Sequence, residues 1–316
     1  MNNSNKNIKA IFLVLLGMTV FAFQDTFIKL ISTTTNIYLI YFIRSSIGLI
    51  LIIFYLKYNK IPIILKTYYP VFTLLRVFLF FTGFSAYYFS LSKLSLPLAV
   101  TLFFVSPFFT SIFSMLIIKE TIGWRRWSAI LVGFVGVYLV MNPDFSNFNI
   151  YSLFPVICAI CYSFTVVVQK KTSDKDNIFS QILHIYISAM IFSLIIKLSL
   201  LNISFDVQTI NEFNSLLIDW NIENIVTFTL LICIGLTGVV GFFALFTAYN
   251  IGSPASIAPF EYIIIVWALI IGWFLWGETL DLTGFIGLIL IVSAGIYTFI
   301  RETSLNKKIS IDSPLR

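Results

Sequence analysis

Ten apolar stretches, most of them about twenty residues long, dominate this sequence. A helix of about twenty residues is long enough to cross the hydrocarbon core of a bilayer, and turn or helix-breaking residues separate the stretches. The pattern therefore predicts ten transmembrane helices. Their approximate bounds are residues 8–31, 37–56, 69–91, 97–118, 127–142, 150–169, 179–200, 225–249, 255–276 and 283–300.

The overall composition supports a membrane protein. Hydrophobic residues make up 59% of the 316-residue chain and charged residues only 11%, whereas soluble domains carry about a quarter charged residues. The net charge of +6 is spread over the short segments between apolar stretches and forms no basic domain. We therefore expect an all-α polytopic membrane protein that has the lipid bilayer as its partner and binds no nucleic acid.

The basic residues also predict orientation, because cytoplasmic loops of membrane proteins are enriched in lysine and arginine. With the amino terminus in the cytoplasm, 15 of the 20 basic residues fall on the cytoplasmic side, three at outer ends of spans and two within spans. Both termini are thus expected to be cytoplasmic.

Two sequence patterns recur at a nearly constant offset. "KLSLPLAV", which begins at Lys93, resembles "NIGSPASI", which begins at Asn250, and "IKETI" around Glu120 resembles "WGETL" around Glu278. Each repeat unit contains five predicted spans, so the second copy must be inverted in the membrane. Inverted repeats around a midplane site are typical of transporters. The expected organisation is a first repeat over residues 1–145, a second over 146–302 and a cytoplasmic tail over 303–316.

Polar side chains within the spans are the candidates for function, because a charge near the bilayer centre costs about 2.5–3.5 kcal/mol on insertion scales. The candidate substrate- or proton-binding residues of this kind are Gln24, Asp25, Arg44, Arg76 and Glu261. Glu261 is the strongest candidate, since its counterpart in the first repeat is Phe103. A requirement of the fold should apply to both copies, so an acid in only one copy points towards function.

Several interpretations of these charges stay open. Asp25 could pair with Arg44, or with Lys29 four residues along the same helix. Glu261 could pair with Arg76, or the arginines could extend towards the interface as structural residues. Aromatic side chains expected to line a cavity are Tyr262, Trp267, Phe104 and Tyr87. Two further polar residues are expected to have other roles. His184 lies close to the end of its span and is expected at the membrane interface, and Glu278 is expected to form part of a turn between helices.

The chain resembles the EamA-type members of the drug/metabolite transporter superfamily. The stretches that carry the resemblance include "FAFQDTFIKLI", "KETIGWRRWSAILVGFVGVYLVMNP" and "APFEYIIIVWALIIGWFLWGETLDLTGFIGLILIVSAGIY". The resemblance implies ten helices in two inverted five-helix repeats. The first four helices of each repeat would line a central cavity, which places Asp25, Arg44, Arg76 and Glu261 on cavity-lining helices.

The expected function is secondary transport of a small polar or zwitterionic metabolite, amino-acid-like or S-adenosylmethionine-like, across the bacterial inner membrane. Transport would proceed by alternating access, coupled to protons or by exchange, in a monomer or homodimer. The alternative is a non-transporting scaffold or signalling subunit. An enzyme is not expected, because the chain has one histidine and neither an H-E-x-x-H nor a G-x-S-x-G motif. No cofactor or metal is expected either.

Overall fold

A computed structural model of the protein describes residues 3–119, 124–141, 149–201, 203, 209, 212–222, 224–251, 260–261 and 263–312. Regular secondary structure in these ranges is entirely helical. The helices are α1 Asn3–Ile31, α2 Ile37–Tyr58, α3 Pro70–Leu91, α4 Leu96–Phe103, α5 Ser106–Phe113, α6 Trp124–Met141, α7 Leu153–Thr172, α8 Ile178–Leu200, α9 Asn214–Leu217, α10 Ile225–Ile251, α11 Ile263–Trp276 and α12 Leu282–Asp312.

Seven helical segments in the described part of the chain are long and apolar enough to cross a membrane. They are Lys9–Ile31, Ile37–Tyr58, Pro70–Leu91, Leu96–Ile118, Ile150–Thr172, Ile178–Leu200 and Ile225–Ile251. The protein is thus a multi-pass membrane protein. The other three predicted spans coincide with α6, with the 14-residue α11 and with α12, and the beginning of the ninth predicted span lies outside the described residues.

The fourth predicted span is interrupted. A tight turn at Phe104 and Val105 separates α4 from α5, and the chain continues as a π-helix over Ser114–Ile118. Pro107 follows the turn in the first residues of α5. A proline has no N–H to donate back into the preceding turn, so the α-helical ladder breaks there.

Side-chain contacts fix the directions of the helices that surround the centre. Asp25 of α1 lies beside Tyr87 of α3, and Lys29 contacts the Leu94 carbonyl just beyond α3. Therefore α1 and α3 run in the same direction. Farther towards the start of α3, Gly83 packs against Cys161 of α7, and Phe72 lies under Lys171. Since α3 and α7 are antiparallel, α1 and α7 also run in opposite directions.

The helices pack in pairs, some of which include α1, α3 and α7. The most extensive contacts join α1 with α10, α3 with α7, α2 with α8, and α6 with α12. The α6–α12 pair requires a very close approach, because a Cβ atom at Gly136 would lie 2.7 Å from the Gly287 carbonyl oxygen. Phe21 of α1 similarly packs against Gly241 of α10. Small residues of this kind let membrane helices approach closely.

The long connection between α8 and α10 contains the short helix α9. Asn36, which caps α2, anchors this connection by donating from its amide nitrogen to the carbonyls of Leu216 at 2.8 Å and Ile218 at 2.7 Å.

Candidate functional site

Two consecutive tyrosines of α3 hold an acid and a base of the neighbouring helices. The Tyr87 hydroxyl donates to Asp25 Oδ2 of α1 at 2.9 Å, and Arg44 Nη1 of α2 donates to the Tyr88 hydroxyl at 2.9 Å. Gln24 Nε2 also donates to the Tyr88 hydroxyl, at 3.3 Å. All five side chains are buried. Successive helical residues point in directions about 100° apart, so one turn of α3 positions both charges.

These groups line one internal cavity of ≈ 40 Å³. Its polar wall consists of Gln24, Asp25, Arg44, Tyr87 and Tyr88. The rest is largely aromatic, with Phe21, Phe80, Phe84, Phe103, Tyr162 and Phe242. A single buried water needs about 10–15 Å³ of such space. The cavity therefore has room for about three or four water molecules, and a metabolite can enter only if the aromatic rings move.

Some hydrogen-bonding groups at the cavity are unused. Arg44 Nε and Gln24 Oε1 have no hydrogen-bond partner among the described residues. Both face α10 at Gly238, where a Cβ atom would lie 2.9 Å from Arg44 Nε and 3.2 Å from Gln24 Oε1. The Arg44 guanidinium also lies 5.0 Å from the centre of the Phe242 ring, within the range of a cation–π interaction. Gly238 thus leaves space for the arginine, which retains donors for a ligand.

Glu261 lies directly behind the cavity wall. It is 1% exposed, and its Oε1 accepts hydrogen bonds from Tyr162 at 2.9 Å and from the Tyr249 hydroxyl. Tyr162 itself lines the cavity, as does Ile264 one turn beyond Glu261. Movement of a single tyrosine would therefore expose the carboxylate to the cavity.

The pair of Glu261 with Arg76, one of the interpretations left open by the sequence, is not formed. Arg76 is 1% exposed, and its Nε, Nη1 and Nη2 atoms lack hydrogen-bond partners in the described part of the chain. It does not line the cavity either. Asp25 and Arg44 share the cavity, but no direct salt bridge joins these two described residues. The proposed local pair of Asp25 with Lys29 is replaced by other contacts, since Lys29 binds Glu278 at 2.7 Å.

The structure separates the remaining predicted residues from the cavity. Trp267 Nε1 donates to Thr19 Oγ1 at 3.1 Å, and its ring packs beside Phe23. Phe104 is fully buried at the break between α4 and α5, against the ring of Phe103. The sequence grouped both with the cavity on their aromatic character alone. Tyr262 lies outside the described residues.

Sequence reasoning missed three tyrosines of the site, namely Tyr88, Tyr162 and Tyr249. The sequence position of Tyr162, near the middle of α7, could have indicated a functional contact. Tyrosines of membrane proteins concentrate at the two interfaces, and a hydroxyl at mid-span needs a buried partner. The missed Gly238 offered no such signal, because glycines are frequent in transmembrane helices.

The sequence matches the EamA-like transporter family over residues 8–142 and 149–300. The chain belongs to this family. Among its relatives, the S-adenosylmethionine uptake transporter of Rickettsia bellii is 26% identical over 299 residues, 93% of this chain and 95% of the relative. The riboflavin transporter of Vibrio cholerae is 27% identical over 238 residues, 74% of this chain and 73% of the relative.

A crystal structure of 14% sequence identity shares the fold of this EamA-like chain. The two superpose with a TM-score of 0.66, over 96% of this chain and 99% of the other. The similarity therefore covers the whole helical assembly.

Proposed function

We propose that this EamA-like protein is a secondary active transporter of a small zwitterionic metabolite, amino-acid-like or S-adenosylmethionine-like. The observation that carries the proposal is the pairing of Asp25 and Arg44 across one cavity, each held by its own tyrosine. An arginine fork suits a carboxylate, and an aspartate suits an ammonium group. A buried acid and base that keep separate partners are arranged to receive both ends of an amino acid.

The aromatic wall adds a second element of recognition. Rings such as Phe84 and Phe242 can stack on a planar heterocycle, and aromatic faces attract sulfonium and ammonium cations. S-adenosylmethionine carries a carboxylate, an ammonium, a sulfonium and an adenine ring. Riboflavin offers the flat ring but no charge. The two charges at the cavity therefore favour an S-adenosylmethionine-like substrate over a flavin.

Alternating access between two inverted repeats is the proposed mechanism. The antiparallel directions of α1 and α7 support it, and so does the pattern of helix pairs. Exchanging the first five spans with the second five, in order, converts the pair α1–α10 into α7–α3. The pairs α2–α8 and α6–α12 are each converted into themselves. Such an exchange is the property that lets one site open to either side in turn.

Glu261 is proposed to carry the coupling proton or the substrate ammonium. Its two hydroxyl donors can hold an ionised carboxylate without a basic partner, and Tyr162 connects it to the cavity. A non-transporting scaffold would favour charges sealed against partners and no cavity beside them. The unused groups of Arg44 and Gln24 favour a transporter instead. We place it in the bacterial inner membrane with both termini in the cytoplasm.

Flux of radiolabelled S-adenosylmethionine into proteoliposomes tests the proposal. We expect saturable uptake that unlabelled S-adenosylmethionine inhibits and that decarboxylated S-adenosylmethionine, which lacks only the carboxylate, inhibits poorly. Loss of a hydrogen bond to a charged group is worth about 1.5–3 kcal/mol. Arg44→Gln should therefore raise KM about tenfold or more, with Lys197→Gln, at an exposed ion pair, as the matched control.

Two results would contradict this function. Uptake no greater than in empty liposomes would exclude the substrate, and stronger inhibition by riboflavin than by S-adenosylmethionine would indicate a flavin carrier. Equal inhibition by the decarboxylated compound would remove Arg44 from carboxylate recognition.

A further inference from the structure

Arg76 forms an unusual second basic centre in this protein. All three of its guanidinium nitrogens are buried without a hydrogen-bond partner among the described residues. An unpartnered buried charge is costly. Asp176 is the acid whose charge acts on Arg76, but its carboxylate accepts hydrogen bonds from Thr67 Oγ1 and from the Tyr68 N–H. The arginine thus retains its full set of donors.

A second unpartnered polar side chain lies at the same level. The antiparallel contacts of Gly83 with Cys161 and of Phe72 with Lys171 fix the register of α3 on α7. Arg76 lies between these contacts on α3, which places it level with the region of Gln169 on α7. Gln169 is 1% exposed, and both its amide nitrogen and its amide oxygen lack partners among the described residues.

The neighbouring helix contributes one more unused group. Gln181 of α8 donates from Nε2 to Thr172 Oγ1 at 3.3 Å, close to Gln169, but its Oε1 has no partner in the described ranges. Three buried side chains near the predicted cytoplasmic ends of α3, α7 and α8 therefore keep unused donors or acceptors. Donors predominate, and one of the three groups is a cation. This chemistry favours an anionic group, such as a carboxylate.

Arg76 lies below the floor of the cavity, on the same face of α3. The helical period places Arg76, Phe80, Phe84 and Tyr87 in one stripe, and the last three line the cavity. Phe80 is one turn, about 6 Å, beyond Arg76. Its ring lies 4.6 Å from Phe84 and 5.4 Å from Phe242, measured between centroids. On this stripe Phe80 is thus the cavity-lining residue nearest to Arg76.

We propose that Arg76 and Gln169 form a second binding station, which receives the carboxylate of the substrate on the cytoplasmic side after the contact between Phe80 and Phe242 opens. Tyr88, the partner of Arg44, is about 18 Å from Arg76 along the axis of α3. The carboxylate would pass from one arginine to the other as the protein changes its open side. This inference rests on the proposed function for the identity of the substrate, whereas the anion site itself can be tested without transport.

Charge-selective labelling of a cysteine at position 169, level with Arg76, provides that test. The native cysteines are replaced by alanine, and Gln169→Cys is introduced. Inside-out membrane vesicles then react with two impermeant methanethiosulfonates of similar size, one bearing a sulfonate and one a trimethylammonium group. We expect the ratio of anionic to cationic labelling rates to fall about tenfold in Arg76→Gln, the equivalent of 1.4 kcal/mol. Arg76→Lys should preserve the ratio, and so should Arg44→Gln.

Protection experiments connect the site with the substrate. S-adenosylmethionine should slow labelling at position 169, and its decarboxylated form should not. An unchanged ratio in Arg76→Gln would overturn the station. Absence of labelling from either side of the membrane, in a protein that retains its secondary structure and melting transition, would also overturn it and make Arg76 a sealed structural residue. If the ratio depends on Arg76 but no S-adenosylmethionine flux is found, the anion site stands and the proposed function fails.

Discussion

The Tyr162 hydroxyl donates a hydrogen bond to Glu261 Oε1 at 2.9 Å, and the ring of the same tyrosine forms part of the cavity wall. Tyr162 lies on α7 and Glu261 in the short turn before α11, so the contact joins two separate segments of the chain. Tyr249 of α10 completes the arrangement. The acid therefore depends on neutral donors, which can hold it whether or not it is ionised.

With Glu261 as the carrier of the coupling proton, Glu261→Gln should keep substrate binding but abolish the dependence of uptake on an inward proton gradient; with Glu261 as the partner of the substrate ammonium, the same change should weaken binding. Glutamine has nearly the same shape and can still accept from Tyr162, but it carries no titratable proton. The measurement is uptake into proteoliposomes at several external pH values with fixed internal pH. Glu212→Gln, at an exposed acid bonded to Tyr151, is the control. Unchanged flux and unchanged pH dependence in Glu261→Gln would remove this residue from the mechanism.

Gly238→Ala should impair transport through Arg44 without a large loss of stability. The added methyl group would lie 2.9 Å from Arg44 Nε, so the guanidinium must move. Alanine is about 0.8–1 kcal/mol better than glycine in a helix, which offsets part of an overpacking cost of about 1–3 kcal/mol. KM should rise several-fold while the melting temperature changes little.

Gly235→Ala is the matched control for this change. Gly235 lies one turn away on α10, and the three atoms nearest to its new methyl group all belong to the apolar side chain of Ile47. It should have a similar effect on stability and leave KM unchanged. Equal KM values for the two variants would argue against a role for the space beside Arg44.

The sequence predicted those features of the fold that depend on single helices. Apolar length and breaker residues located the spans, because these effects act within one segment. Partners across helices depend on rotation and tilt, which apolar length does not encode. The sequence consequently left open a pair of Glu261 with Arg76, whereas the hydroxyls of Tyr162 and Tyr249 are the partners of this buried carboxylate. Asp25 and Arg44 can meet at one cavity because Asp25 lies about 9 Å before the end of α1 and Arg44 about 10 Å after the start of α2, so both are at a similar depth from the same side of the membrane.

Arg76→Gln should stabilise the substrate-free protein. Its guanidinium nitrogens have no hydrogen-bond partner among the described residues, and removal of this buried charge relieves a desolvation penalty of several kcal/mol that the nearby charge of Asp176 offsets only in part. We expect the melting temperature of the detergent-solubilised protein to rise, by about 2–4 °C for each kcal/mol gained in a large domain. Arg44→Gln is the comparison, because it breaks the bond to Tyr88 and the contact with Phe242, and should lower the melting temperature. A fall with Arg76→Gln would indicate a structural role for this arginine.

The ion pair of Lys29 with Glu278 should fasten the ends of three spans together. Gly277, at φ 66°, ends α11 in a left-handed conformation that glycine adopts without strain. The following Glu278 accepts from Lys29 of α1 at 2.7 Å and from the Leu96 N–H at the start of α4 at 2.9 Å. Both charged side chains are largely shielded, at 10% and 21% exposure. Shielding strengthens their attraction relative to a pair in water.

A double-mutant cycle of Lys29→Met and Glu278→Gln measures this coupling. Each single change should cost about 1–3 kcal/mol, and the double change should cost less than the sum, with a coupling of about 0.5–3 kcal/mol. The pair of Lys197 with Asp219 is the matched control. It has the same kind of contact at 2.9 Å, but its aspartate is 92% exposed, so its coupling should stay below about 1 kcal/mol. Equal coupling energies in the two cycles, measured by unfolding in mixed micelles, would mean that Glu278 acts through the Leu96 amide alone.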